Sequence, residues 1–278
     1  RQRRAPDPRY HPDQRMIPRP LLRALLSGLV FSNAKAKRLA IRLTRWTGKS
    51  REYVHPKHLL PETEEQYWYL THLDAGDRLL DVGCGNAMHT TKAARRCAGV
   101  VGVDRDPESL AVGFRSCRAQ GITNARLVRV DVEEGLPFMS KRFDKILCLD
   151  LLEHVGKRDL LLGEIHRVLI SGGLLLLSVP NRGTSWKRRL ERAGLFSYSD
   201  PDHKIEYTLP ELEEELGRNG FAIITLSPSV YDTPVVGLID LAGSLSLGLY
   251  RRLSEVRRRL AARFPEENAG FYAVCAAR

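Results

Sequence analysis

No run of about 18 uninterrupted apolar residues occurs in this 278-residue chain, which argues against a membrane-spanning helix. The first residues lack the apolar core of a secretory signal and are rich in Arg and Pro instead. Cysteine is sparse. Cys84, Cys97, Cys117, Cys148 and Cys275 form no C-x-x-C pair, so reduced thiols and a cytoplasmic setting are expected. Beyond the Arg-rich start there is no internal repeat or low-complexity tract, and the length suits one sizeable α/β core with an accessory region.

Charge is unevenly spread. Of 44 Lys and Arg and 33 Asp and Glu, residues 1–51 hold fourteen bases against two acids, Asp7 and Asp13. The remainder is close to neutral, so the net charge of +11 belongs to an N-terminal arm. Such an arm suits an anionic membrane or a nucleic acid equally well.

Residues 1–20 are expected to be a disordered basic tail and 21–60 a basic amphipathic helical arm, from the spacing of Leu21, Leu22, Leu25, Leu26, Leu29 and Val30. The catalytic-type domain spans 61–278. A helix over 62–73 leads into alternating strands and helices, with strands at 78–83, 100–104, 125–131, 143–150 and 172–180. Continuous apolar strands between amphipathic helices predict an α/β, Rossmann-like, doubly wound sheet covered on both faces. A helix over 208–220 starts at Thr208 and stops at Gly220, and strands at 221–228 and 270–278 follow. Between those strands, 229–269 is a helical insertion longer than a simple connection requires.

The sharpest signal is Asp81-Val-Gly83-Cys84-Gly85-Asn-Ala87. A buried strand runs into two glycines and then a helix start, so backbone can approach a ligand closely. Ala87 stands where a dinucleotide loop usually has its third glycine, which leaves a nucleotide cofactor and S-adenosylmethionine both open. Spacing narrows this. Asp104 ends the second strand, where a carboxylate can receive both ribose hydroxyls. Asp131 and Val132 end the third, near an adenine amino group, and Asp150 ends the fourth.

The runs LLDVGCGNA, VVGVDRDP, ARLVRVDVEEGLPF, FDKILCLDLLEHV and SGGLLLLSVPN resemble class I S-adenosylmethionine-dependent methyltransferases. The likeness is to the type 11 small-molecule branch that includes ubiquinone-pathway enzymes. It implies a seven-stranded sheet with an antiparallel last strand, and S-adenosylmethionine as cofactor. By motif, Asp81, Gly83, Cys84 and Gly85 would meet the methionine part, Asp104 the ribose, and Asp131 with Val132 the adenine. Leu149 and Asp150 would line the sulfonium side. Arg105 departs from the apolar residue usual beside adenine, and its guanidinium could stack there instead.

Methyl transfer needs in-line positioning of a nucleophile, and an oxygen nucleophile must also lose its proton. Candidates near the strand exits are Asp150, Glu153, His154, Asn181, His203 and Tyr207. Asp150-x-x-Glu153-His154 with the distant His203 is similar to the Glu-x-x-Glu-His sets of ubiquinone-pathway and small-RNA 2′-O-methyltransferases, where such groups hold a divalent metal. The resemblance implies Asp150, Glu153, His154 and His203 as catalytic residues and metal ligands, with Asp in place of the first Glu. The alternative is metal-free, with Glu153 and His154 bonded locally and His203 a lid residue or base.

The insertion pairs an apolar half, holding Asp240, with a basic half holding Arg251, Arg252, Arg257, Arg258, Arg259 and Arg263. That composition suits a cap over the site, an anionic membrane surface, or both. A small or lipid-like acceptor methylated at oxygen, by a cytoplasmic, peripherally membrane-associated protein, is the expectation. Two alternatives are an RNA terminal 2′-O-methyltransferase and a non-catalytic S-adenosylmethionine-binding protein. Nucleic acid is the weaker partner, because few aromatics interleave the basic segments.

Overall fold

The computed structural model describes residues 19–46, 67–227 and 229–278. Most of the expected tail, the 47–60 part of the arm and the start of the 62–73 helix lie outside the described residues.

Seven strands form one sheet: β1 (Arg78–Val82), β2 (Gly99–Asp104), β3 (Ala125–Arg129), β4 (Phe143–Leu149), β5 (Leu169–Pro180), β6 (Phe221–Ser227) and β7 (Gly270–Ala277). Their order is β3-β2-β1-β4-β5-β7-β6. The first five run parallel, and β7 is inserted antiparallel to both β5 and β6. The expected doubly wound sheet with an antiparallel last strand is therefore present. The chain reverses its direction of winding between β1 and β4, so a crevice opens at their carboxyl ends, where ligands of such sheets bind.

Strand alternation builds a core on each face. Leu80, Val82, Ile146, Cys148, Leu175, Leu177 and Val179 point one way, against Leu161, Leu162 and Ile165 of α4 (Arg158–Val168) and Leu212 and Leu216 of α6 (Leu209–Arg218). Leu79, Leu147, Leu176 and Val274 point the other way, against Tyr69 and the Ala93–Ala94 end of α2 (Met88–Ala94). Each fully buried Leu or Ile contributes roughly 1.5–3 kcal/mol relative to exposure. Ends are set locally. Asp106 caps α3 (Pro107–Ala119) by accepting from the amides of Glu108 and Ser109, and Glu211 accepts the Thr208 amide at the start of α6.

The helical insertion is confirmed as α7 (Val236–Leu245) and α8 (Leu247–Arg263). Much of the arm is one 28-residue helix, α1 (Arg19–Trp46), which packs along α7. Asn33 Oδ1 accepts from the Gly237 amide at 2.6 Å, and a Cβ on Gly237 would stand 2.2 Å from the Asn33 carbonyl oxygen. That close approach needs a bare backbone on α7. Two differences from the sequence reading concern local structure. The described part of the 62–73 helix is a 3₁₀ segment, Trp68–His72, and an unanticipated helix, α5 (Ser185–Arg192), follows β5.

Candidate active site

The turn after β1 is held by its own sheet. The Gly83 and Cys84 amides both donate to the Val103 carbonyl, and the Gly85 amide donates to Asp104 Oδ2 at 2.8 Å. Gly83 and Gly85 have φ of +75° and +51°, a region that costs other residues strain, and a Cβ on Gly83 would meet Leu151 at 2.9 Å. Asp104 Oδ1 accepts from the Asp106 amide, so both oxygens are oriented and each keeps a lone pair. Asp81 lies beneath the turn, 2% exposed, and accepts from Thr90 Oγ1 at 2.6 Å; burial raises its pKa to about 6. The Cys84 side chain is buried against Gly102 and burial raises its thiol pKa, so backbone is what Cys84 offers at this turn. Arg105 is exposed, its carbonyl accepting from Arg129. Asp131 accepts from the Glu133 amide, and Val132 is buried.

Asp150, at the exit of β4, has φ +50°, unusual for a residue other than glycine. Ser178 accounts for it. Its carbonyl and hydroxyl both receive the Asp150 amide, and its hydroxyl donates to Asp150 Oδ1 at 2.7 Å. Strained backbone of this kind concentrates at functional sites.

Of the four residues expected as metal ligands, three converge. Donor atoms of Glu153, His154 and His203 lie within 4.8 Å of one another. Asp150 does not join them, because its left-handed backbone and Ser178 turn it away. The Lys204 amide donates to the Glu153 carbonyl, which brings the His203 loop across. The two imidazoles meet edge to face at 4.7 Å. Glu153 is 2% exposed; burial, then the charges of Asp150 and Glu206, push its carboxyl up to about 8. Its Oε2 is buried with no hydrogen-bond partner. An orphaned carboxylate oxygen beside two imidazoles fits a divalent ion that accepts mixed O and N ligands.

Behind His203 stands a network that the sequence reading missed. Glu206 Oε1 meets His203 Nδ1 at 2.8 Å, and Oε2 receives Lys187 Nζ at 2.8 Å. Lys187 is buried in α5 and also donates to the Asn181 carbonyl and to Ser199 Oγ. Burial alone would raise the Glu206 pKa; His203 and Lys187 outweigh it and hold the carboxyl below its usual value. The i, i+3 spacing of His203 and Glu206 was a readable signal, whereas Lys187 had none. Asn181 and Tyr207 are enclosed: Asn181 staples the β5 exit to the carbonyls of Glu266 and Asn268, and Tyr207 lies in the core.

A cavity of about 900 Å³ opens between the sheet exits and the helices α1, α7 and α8. Leu149, Asp150 and Ser178 line one end, and Trp68 stacked on Tyr272 at 5.5 Å forms an aromatic wall. Glu153, His154 and His203 lie outside its lining, as do Asp104 and the glycine turn. Asp150 is the element common to the cavity and the neighbourhood of the acid–imidazole cluster.

Sheet order, glycine turn and strand-exit acids define a class I methyltransferase fold. Residues 80–177 match the family model described as a methyltransferase domain. Among curated proteins, the chain is similar to a ubiquinone biosynthesis O-methyltransferase of Azorhizobium caulinodans, 32% identical over 171 residues. That match covers 56% of this chain and 63% of the relative. A "probable S-adenosylmethionine-dependent methyltransferase" of Mycolicibacterium smegmatis is 30% identical over 173 residues, covering 58% and 61%. The chain thus spans less than two thirds of these relatives. Among solved structures, the [4+2]-cyclase SpnF superposes with a TM-score of 0.54 at 20% identity, over 74% of this chain and 77% of that one. The MccD protein gives 0.54 at 15% identity, over 77% and 96%. Both likenesses concern the fold, and a fold that also serves a cyclase does not dictate the reaction.

Proposed function

We propose that the protein transfers the methyl group of S-adenosylmethionine to an oxygen of a small, lipophilic acceptor. The observation that carries this reading is the aromatic-walled cavity, which ends on Asp150 at the carboxyl edge of the parallel strands. Its size falls in the range of drug-sized ligand sites, roughly 300–1,000 Å³. The relatives named as O-methyltransferases support oxygen as the acceptor atom.

In this reading the bare turn at Gly83 and Gly85 receives the methionine part of the donor, with Asp81 and Cys84 beneath it. Asp104 takes the ribose hydroxyls, and Asp131 with Val132 and Arg105 frame the adenine. Leu149 and Asp150 border the sulfonium, and the acceptor hydroxyl arrives from the cavity at Asp150. Ser178 holds Asp150 Oδ1, which leaves Oδ2 to receive the hydroxyl proton and orient the oxygen in line with the methyl carbon. Without a metal, Glu153, raised to about 8, holds a proton at neutral pH and is a poor acceptor there; a bound divalent ion would displace that proton. Glu206 fixes the tautomer of His203, so that Nε2 is the atom presented to the cluster. Glu153, His154 and His203 would hold a divalent ion, which when bound supplies positive charge to stabilise an alkoxide or phenolate.

A membrane surface is the proposed workplace. Leu21, Leu25, Phe31, Leu39 and Trp46 are exposed on α1, and Leu238 and Leu245 on α7, beside Lys35, Arg38 and Arg42. No helix among the described residues is long and apolar enough to cross a membrane. The test is transfer of labelled methyl from S-adenosylmethionine to a panel of phenols, hydroxy lipids and short RNAs. Label is expected in an organic-extractable ether. Label in RNA, or cofactor binding without transfer to any acceptor, contradicts the proposal.

A further inference from the structure

The sequence pattern groups Arg257 with a cationic helix face, but the fold turns it to the wall of the cavity, near Tyr250, Tyr272, Asp232 and Asp240. Its Nε donates to the Tyr231 carbonyl at 2.9 Å, and its own carbonyl receives the Tyr231 amide. These bonds fix the root of the guanidinium. Among the described residues neither Nη group meets an acceptor and Arg257 forms no ion pair.

Asp232 accepts from Thr184, Trp186 and the Thr233 amide, and Asp240 lies buried beside Tyr250. Glu255 pairs with Arg258 and Arg259, so of three consecutive arginines two are answered and the inward one is not. Lys37, reaching in from α1, is a second cavity-lining cation without a partner among the described residues. Burial pulls the Arg257 pKa down, as it does for a cation with incomplete compensation. A planar guanidinium with two free Nη groups matches the paired oxygens of a phosphate or carboxylate.

We propose that the acceptor is an amphiphile bearing a phosphate or carboxylate, whose anion is received by Arg257 and Lys37 while its apolar body lies along Trp68, Tyr250 and Tyr272. This rests on the methyl-transfer reading above. It is tested by calorimetric binding of decyl phosphate, decanoate and decanol to the full chain saturated with S-adenosylhomocysteine. At least one anion is expected to bind about tenfold or more tightly than decanol, and the tighter of the two tells phosphate from carboxylate. Arg257→Gln retains a donor for the Tyr231 carbonyl. It should abolish that preference and leave S-adenosylhomocysteine affinity within about twofold. Equal binding of decanol and both anions by the wild-type protein overturns the proposal, whatever the variant does; so does a Gln variant that keeps the preference. Failure of S-adenosylhomocysteine itself to bind removes the methyl-transfer reading instead, which separates the two.

Discussion

Replacing Lys187 by Met should destabilise the protein severely, and the structure says why. Lys187 is 1% exposed and Glu206 is fully buried, and the three donors of the ammonium are matched by Glu206, the Asn181 carbonyl and Ser199 Oγ. Methionine keeps the stem of the side chain but deletes all three bonds, leaving a buried carboxylate with the largely buried His203 imidazole as its remaining side-chain neighbour. Breaking a buried pair by removing one partner costs about 3–5 kcal/mol, a large part of the roughly 5–15 kcal/mol that holds a domain folded. Neutralising both partners, as Lys187→Met with Glu206→Gln, should recover about 2 kcal/mol or more, because Gln still accepts from the Ser199 amide. Urea denaturation of both variants at pH 7 reads the difference. A single variant that loses less than about 1 kcal/mol, or a double variant no better than the single, would refute the reasoning.

Glu153→Gln should flatten part of the pH dependence of stability in metal-free protein. The wild-type carboxyl is raised from 4.5 to about 8, so its contribution is complete below pH 4.5 and declines as pH rises toward 8; thermal melts across that window report it. Gly237→Ala should force α1 off α7 at a cost of about 1–3 kcal/mol, seen as earlier proteolysis within Arg19–Trp46. Unchanged cleavage would mean that the Asn33 contact is dispensable. Lys187→Met with Glu206→Leu, which removes the His203 partner without stranding a buried ammonium, should weaken binding of Mn²⁺ or Zn²⁺ about tenfold or more by calorimetry, and unchanged affinity would mean that Glu206 does not orient His203. Flotation with phosphatidylglycerol vesicles should carry the protein, and serine at Leu21, Leu25 and Phe31 together should release it.

The sheet was legible because each strand is a short apolar run bounded by turn residues, and because glycine or acid follows most strand exits. Thr208 and Gly220 marked α6 at both ends for local reasons. What escaped depends on distance in sequence. Lys187 meets Glu206 19 positions on, in a helix whose polar composition, SWKRRLER, reads as surface. Asn33 meets Gly237 across 204 residues, which no local pattern encodes. Asp150 was placed at the strand exit correctly, but its positive φ is imposed by Ser178 of the neighbouring strand, and that turned it out of the predicted ligand set. Arg257 shares its helix face pattern with solvated arginines, and Tyr231 is what draws it inward.

The central claim is a donor-binding cradle at the carboxyl ends of β1, β2 and β3, and calorimetric titration with S-adenosylhomocysteine tests it most directly. Wild-type protein should bind, and Asp104→Ala should weaken binding about tenfold to a hundredfold, since Asp104 is the proposed ribose ligand and holds the Gly85 amide. Absence of heat with S-adenosylhomocysteine and S-adenosylmethionine alike, or an Asp104→Ala variant that binds as the wild type does, would contradict the account.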